Sequence, residues 1–205
     1  MIAIVDYGVG NLFSLRSALN AIGADTIVTG RVDELRAADA IILPGVGAFG
    51  DAAEKLRATG LAQALTALAG EGKPLLGICL GMQLLFDESE EYGLHAGLGL
   101  IPGRVVPFEG RVEALKIPHM GWNPLDIRKN DPLFRDVAQG EHVYFVHSYW
   151  VDCPGEYVLA TAEYGLPVTA AVRRANVYGM QFHPEKSGET GLALLRAFCR
   201  EGGAL

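Results

Sequence analysis

Cysteine is scarce in this chain. There are three, Cys79, Cys153 and Cys199, scattered over 205 positions. That excludes a disulfide framework. There is no C-x-x-C and no H-E-x-x-H, and the five histidines, His95, His119, His142, His147 and His183, lie far apart. No metal site and no cofactor is therefore expected. Positive charge is also short: 17 Lys and Arg against 24 Asp and Glu, a formal net charge of −7. A general nucleic-acid binder is excluded, because phosphate binding needs clustered cations. No apolar run approaches the roughly 20 residues of a membrane span. The opening "MIAIVDYGVGN" has no basic leader, and Asp6 interrupts its apolar run at once. It reads as the first strand of a cytoplasmic protein rather than as a signal peptide. Repeats and low-complexity segments are lacking too.

What is present is apolar residue in quantity, 50% of the chain, enough for one domain, 1–205, with a sizeable core. The first half alternates strand and helix. Ile2–Asp6 is a strand, and "LFSLRSALNAIG" follows with helical spacing, Leu12, Leu15, Leu19 and Ile22 on one face. "DTIVTG" is a second strand, and Ala40–Gly50 a third that runs into a glycine turn. A helix spans about Ala52 to Ala69, "KPLLGI" is a fourth strand, and "LGMQLLFDES" starts a helix. Apolar strands separated by helices predict an α/β fold with a mostly parallel sheet covered on both faces. The second half reads as extra, mostly antiparallel strands: "GRVVPF", "RVEALKIP", "HVYFVHSYWV", "YVLATAEY", "VTAAVRR" and "NVYGMQFHPE". "ETGLALLRAFCREG" closes the chain as a helix.

Three glycine-bearing turns carry the chemistry. In "GICLG", Gly77 and Gly81 flank Cys79 two residues away on either side. This is the nucleophile-elbow spacing with cysteine in place of serine. Glycine is needed where a sharp strand-to-helix turn leaves no room for side chains. The Leu80 N–H would then face a developing oxyanion. From this pentapeptide alone, a buried core cysteine and a nucleophile remain equally open. Cys153 and Cys199 lack such a context and read as structural. In "FHPE", His183 and Glu185 are two apart, so an extended segment would project both to one side. They offer a base and its orienter at a strand end. "LPGVGAFGD" has Gly45 and Gly47 around Val46, suited to exposed amides, or to a plain βα loop.

"GICLGMQ" with the distal "FHPE" resembles the class I glutamine amidotransferases. Within them the chain is similar to the glutaminase subunits of imidazole glycerol phosphate synthase, through "DYGVGNL", "PGVGAF", "IPHMGWN", "YFVHSYW" and "HPEKSG". The resemblance implies a flavodoxin-like fold and glutamine hydrolysis through Cys79, His183 and Glu185. Leu80, Val46 and Gly47 would form the oxyanion site, the second donor appearing only after a peptide flip in Pro44–Gly47. Gln83, Glu91, Ser148, Tyr149 and Gly45 would bind glutamine, with His147 beside them. Asn11, Met120, Trp122 and Lys186 would meet a cyclase subunit, a (β/α)8 barrel that receives ammonia in a heterodimer. Three other readings remain: a subunit serving a different acceptor, a cysteine hydrolase acting alone, and a binding module that keeps the fold without catalysis, against which the intact Cys79, His183 and Glu185 argue.

Overall fold

The computed structural model describes residues 1–112 and 115–205. The first half runs β1 (Ile2–Val5), α1 (Leu12–Ala21), β2 (Thr26–Thr29), α2 (Val32–Ala37), β3 (Ala40–Gly45), α3 (Phe49–Ala58), α4 (Leu61–Gly70), β4 (Leu75–Cys79) and α5 (Leu80–Gln83). The second half holds β5 (Glu88–Ser89), β6 (His95–Ala96), β7 (Arg104–Pro107), β8 (His119–Pro124), β9 (Asp126–Ile127), β10 (His142–His147), β11 (Tyr149–Asp152), β12 (Val158–Glu163), β13 (Pro167–Arg174) and β14 (Val177–Met180). It ends with α6 (Gly188–Glu201).

Eight strands form the central sheet in the order β2-β1-β3-β4-β14-β13-β12-β9. The five from β2 to β14 are parallel; β13, β12 and β9 extend the sheet antiparallel. The period-two side-chain alternation of a strand splits the core in two. Ile2, Ile4, Ile42, Leu76 and Ile78 face one layer with Leu15 and Leu19 of α1 and Leu194 and Phe198 of α6. Ala3, Val5, Ile41, Leu43 and Leu75 face the other, with Leu35 of α2, Leu56 of α3 and Leu61, Leu65 and Leu68 of α4. Both faces are thus covered, which is why β1, β3 and β4 are fully buried and read as continuous apolar runs. Two further sheets, β10-β8 and β11-β7-β5-β6, lie outside the central one.

Several expected elements differ. The helix expected over Ala52–Ala69 is two helices, broken where Gly60 takes a left-handed φ of 75°. The helix expected from "LGMQLLFDES" is the single turn of α5. "HVYFVHSYWV" is two strands in two sheets, β10 and β11, divided at Ser148. "RVEALKIP" is not a strand where it is described; its Glu113 and Ala114 lie outside the described residues. The strand is instead β8, whose pattern is inverted: His119 is buried while Met120 and Trp122 are exposed. The six-residue α2 carries too few positions to display a helical period. No helix among the described residues is long and apolar enough to cross a membrane.

Candidate active site

The parallel strands β3, β4 and β14 end side by side, and the crevice beyond such carboxyl ends is where α/β folds place ligands. Register pairs Gly45 with Cys79 across β3 and β4, and Met180 with Ile78 across β14 and β4. Cys79 is the last residue of β4. Its backbone has φ 54° and ψ −113°, a left-handed conformation that costs a non-glycine residue about 1–3 kcal/mol. The flanking glycines are sterically required. A Cβ on Gly81 would sit 1.8 Å from the Leu43 carbonyl oxygen, and one on Gly77 would sit 2.5 Å from the Gly81 oxygen. The elbow is therefore wedged against β3. Gly45 belongs to the same close approach, its hypothetical Cβ lying 2.9 Å from the Gly81 nitrogen.

His183 lies three residues beyond β14. Its N–H donates to the Tyr144 carbonyl at 2.9 Å. Its Nδ1 meets Glu185 Oε1 at 2.7 Å, and it lines one cavity with Cys79. The expected extended segment is absent. Pro184–Lys186 form a 3-10 turn, and that turn, rather than strand alternation, brings Glu185 back to His183. Ser187 fixes the turn: its hydroxyl donates to the His183 carbonyl at 2.6 Å and accepts from the Tyr144 N–H at 3.0 Å. Burial opposes charge on His183, but the influence of Cys79 and then of Glu185 outweighs it, and its pKa is raised to about 9. Glu185 Oε2 is buried with no hydrogen-bond partner among the described residues.

Cys79 and His183 open into a cavity of about 290 Å³, near the lower end of small-molecule sites and sized for an amino acid. Val46, Gly47, Leu80, Gln83, Glu91, Ser148 and Tyr149 all line it. Gln83 faces the cavity because α5 carries it one turn past Cys79. Glu91 Oε2 accepts from the Phe49 N–H at 2.6 Å; burial still holds its carboxyl above the usual range. His147, also in the lining, is buried, and burial lowers its pKa to about 3. It is therefore neutral, with Nδ1–H donating to the Tyr149 carbonyl at 2.7 Å. Gly45 is not in this lining; it borders a small recess with Asn11 and Glu185. Burial raises the pKa of Cys153 and Cys199 to about 12, which fits structural thiols.

Asn11, Met120, Trp122 and Lys186 are exposed at this end of the molecule. Trp122 packs on Tyr144 with ring centroids 4.7 Å apart, and the Lys186 ammonium lies 5.6 Å from the same ring. Asn11 caps α1 by accepting from the Ser14 N–H.

One site residue escaped the sequence reading. Gln181, between β14 and His183, is fully buried beside Cys79. Its signal was a lone amide inside the apolar run "VYGMQF".

A thiol on a strained elbow, an imidazole in the same cavity and a carboxylate bonded to that imidazole are the groups that a nucleophile, its base and an orienter require. The chain matches the class I glutamine amidotransferase family over residues 3–201 and belongs to it. Among curated proteins it is 54% identical to an imidazole glycerol phosphate synthase subunit HisH of Geobacillus thermodenitrificans, over 97% of this chain and 94% of that one. A HisH subunit of Bacillus licheniformis is 53% identical over 97% of this chain and 95% of its own. The fold is similar to a crystal structure of a glutamine amidotransferase, at TM-score 0.78 and 22% identity, covering 99% of this chain and all of that one. It also resembles PurLQS from Thermotoga maritima, at TM-score 0.75 and 23% identity, covering 98% and 97%.

Proposed function

We propose that this chain is the glutaminase subunit of an imidazole glycerol phosphate synthase. It hydrolyses glutamine to glutamate and ammonia for histidine biosynthesis. The observation that carries the reading is identity above 50% to HisH subunits along nearly the whole chain. In this reading residues 1–205 act as one cytoplasmic amidotransferase domain.

Cys79 attacks the carboxamide carbon of glutamine. With its pKa raised to about 9, His183 already carries the proton beside the sulfur at neutral pH and gives it to the departing ammonia, while Glu185 Oε1 holds the ring through Nδ1. The tetrahedral oxyanion meets the Leu80 N–H, with the Val46–Gly47 peptide as second donor. The resulting γ-glutamyl thioester is then cleaved by water, with His183 as base. Gln83, Glu91, Ser148 and Tyr149 hold the amino-acid end, and Gly45 keeps β3 close enough to the elbow for its turn to reach the cavity.

The partner is a cyclase subunit with a (β/α)8 barrel. It docks on the face that carries Asn11, Met120, Trp122 and Lys186, and receives ammonia for imidazole glycerol phosphate and AICAR formation. Transfer inside protein keeps ammonia from being protonated in bulk water. The test is Cys79→Ala assembled with the cyclase subunit. Glutamine-dependent synthesis should disappear while synthesis from added ammonia persists. Retention of the glutamine-dependent reaction would sink the reading.

A further inference from the structure

We propose that Gln181 is a further residue of the glutaminase reaction, holding the Cys79 sulfur by an N–H whose direction is dictated from Tyr149. The inference rests on Cys79 being the nucleophile. The register between β14 and β4 ends with Met180 opposite Ile78, so the next step along both chains sets Gln181 beside Cys79. The Gln181 side chain is fully buried. Its Nε2 lies 3.8 Å from Cys79 Sγ, and its Oε1 lies 3.0 Å from Gln83 Nε2. Gln83 Nε2 is also 3.1 Å from the Tyr149 carbonyl oxygen.

The polarity of this chain follows from its last member. A carbonyl oxygen only accepts, so Gln83 must turn its NH2 toward Tyr149. The second hydrogen of that NH2 then points to Gln181, which must answer with its oxygen. Only the NH2 of Gln181 remains for the sulfur. Flipping Gln83 would set its oxygen against the Tyr149 carbonyl, two acceptors face to face in a buried site. The Tyr149 carbonyl is itself fixed by a second donor, His147 Nδ1–H, at 2.7 Å. A thiol is a weak acceptor and a thiolate a strong one, so the donor favours the deprotonated sulfur. The same amide relay ties the sulfur to Gln83 in the wall of the cavity.

The test is the rate of iodoacetamide alkylation at Cys79 in the full chain, read by mass spectrometry across pH, in the wild type, Gln181→Met and Gln181→Glu. The titratable groups around the sulfur are His183, Tyr7 two residues beyond β1, and His147, Tyr149 and Glu91 in the cavity lining. They are common to all three proteins. Methionine keeps the volume and removes both the donor to the sulfur and the acceptor for Gln83 Nε2. Alkylation of Gln181→Met should be about tenfold slower at pH 7 and return to the wild-type rate above about pH 10. Gln181→Glu, which turns a carboxylate to the sulfur, should be slower still at pH 7. A wild-type rate at pH 7 in either variant overturns the proposal, because a residue that only fills space would not move this profile. If Gln181→Met melts early, Gln181→Asn is read the same way, its amide one methylene short of the sulfur. Glutaminase activity surviving in Cys79→Ala is a separate result, and defeats the nucleophile reading itself.

Discussion

His183 is the residue whose chemistry is most visibly set by its neighbours. Its folded pKa, about 9, lies above the ordinary 6.5. The folded chain therefore binds that proton more tightly than the unfolded one. The stability this contributes is complete below about pH 6.5 and is lost as pH rises through about 9. Melting temperature should decline across that window, and His183→Gln should flatten the decline. An equal slope in both proteins would show that other groups control it. Type and spacing point to Cys79, His183 and Glu185, whereas Glu91, Ser148 and Tyr149 enter only through the family resemblance. Cys79 between Gly77 and Gly81, and His183 two before Glu185, are short-range patterns imposed by one turn each. Gln181 was not legible, because its role depends on a neighbouring strand rather than on spacing within its own.

At the scale of elements, strands and helices with both faces or one clear stripe buried were readable, and short or inverted ones were not. β1, β3 and β4 are unbroken apolar runs because helices cover both sheet faces. β8 does not read as a strand, because its apolar residues Met120 and Trp122 point outward while His119 is buried. Trp122 is 62% exposed and Met120 is 61% exposed. Trp122→Ala should thus leave the stability of the isolated chain within about 1 kcal/mol. It should weaken binding to the cyclase subunit by about 2 kcal/mol or more, as loss of an aromatic anchor does. Titration calorimetry with the barrel subunit measures the second quantity, and a denaturant midpoint the first. The 3-10 turn at Pro184–Lys186 also escaped the sequence, since alternation along a strand and a tight turn both bring residues two apart to one side.

For the whole molecule, the catalytic residues and the exposed patch share one end of the central sheet. Trp122 touches Tyr144, whose backbone accepts from the His183 N–H and donates to the Ser187 hydroxyl. A partner on that face therefore presses on the elements that hold the base. If the second oxyanion donor is supplied only in the complex, glutamine turnover by the subunit alone should be ~100- to 1,000-fold below that of the assembled enzyme with its nucleotide ligand. Comparable turnover with and without the cyclase subunit would contradict this.

The left-handed backbone of Cys79 has a consequence for how this chain evolves and how it is engineered. The position that most needs a side chain for activity is one where the fold would prefer none. Cys79→Gly relieves the conformational strain and opens only a small gap, so it should raise the unfolding free energy read from a denaturant titration by up to about 1 kcal/mol, while ending glutaminase activity. Selection for thermal robustness alone, blind to glutamine, would be expected to discard the nucleophile first.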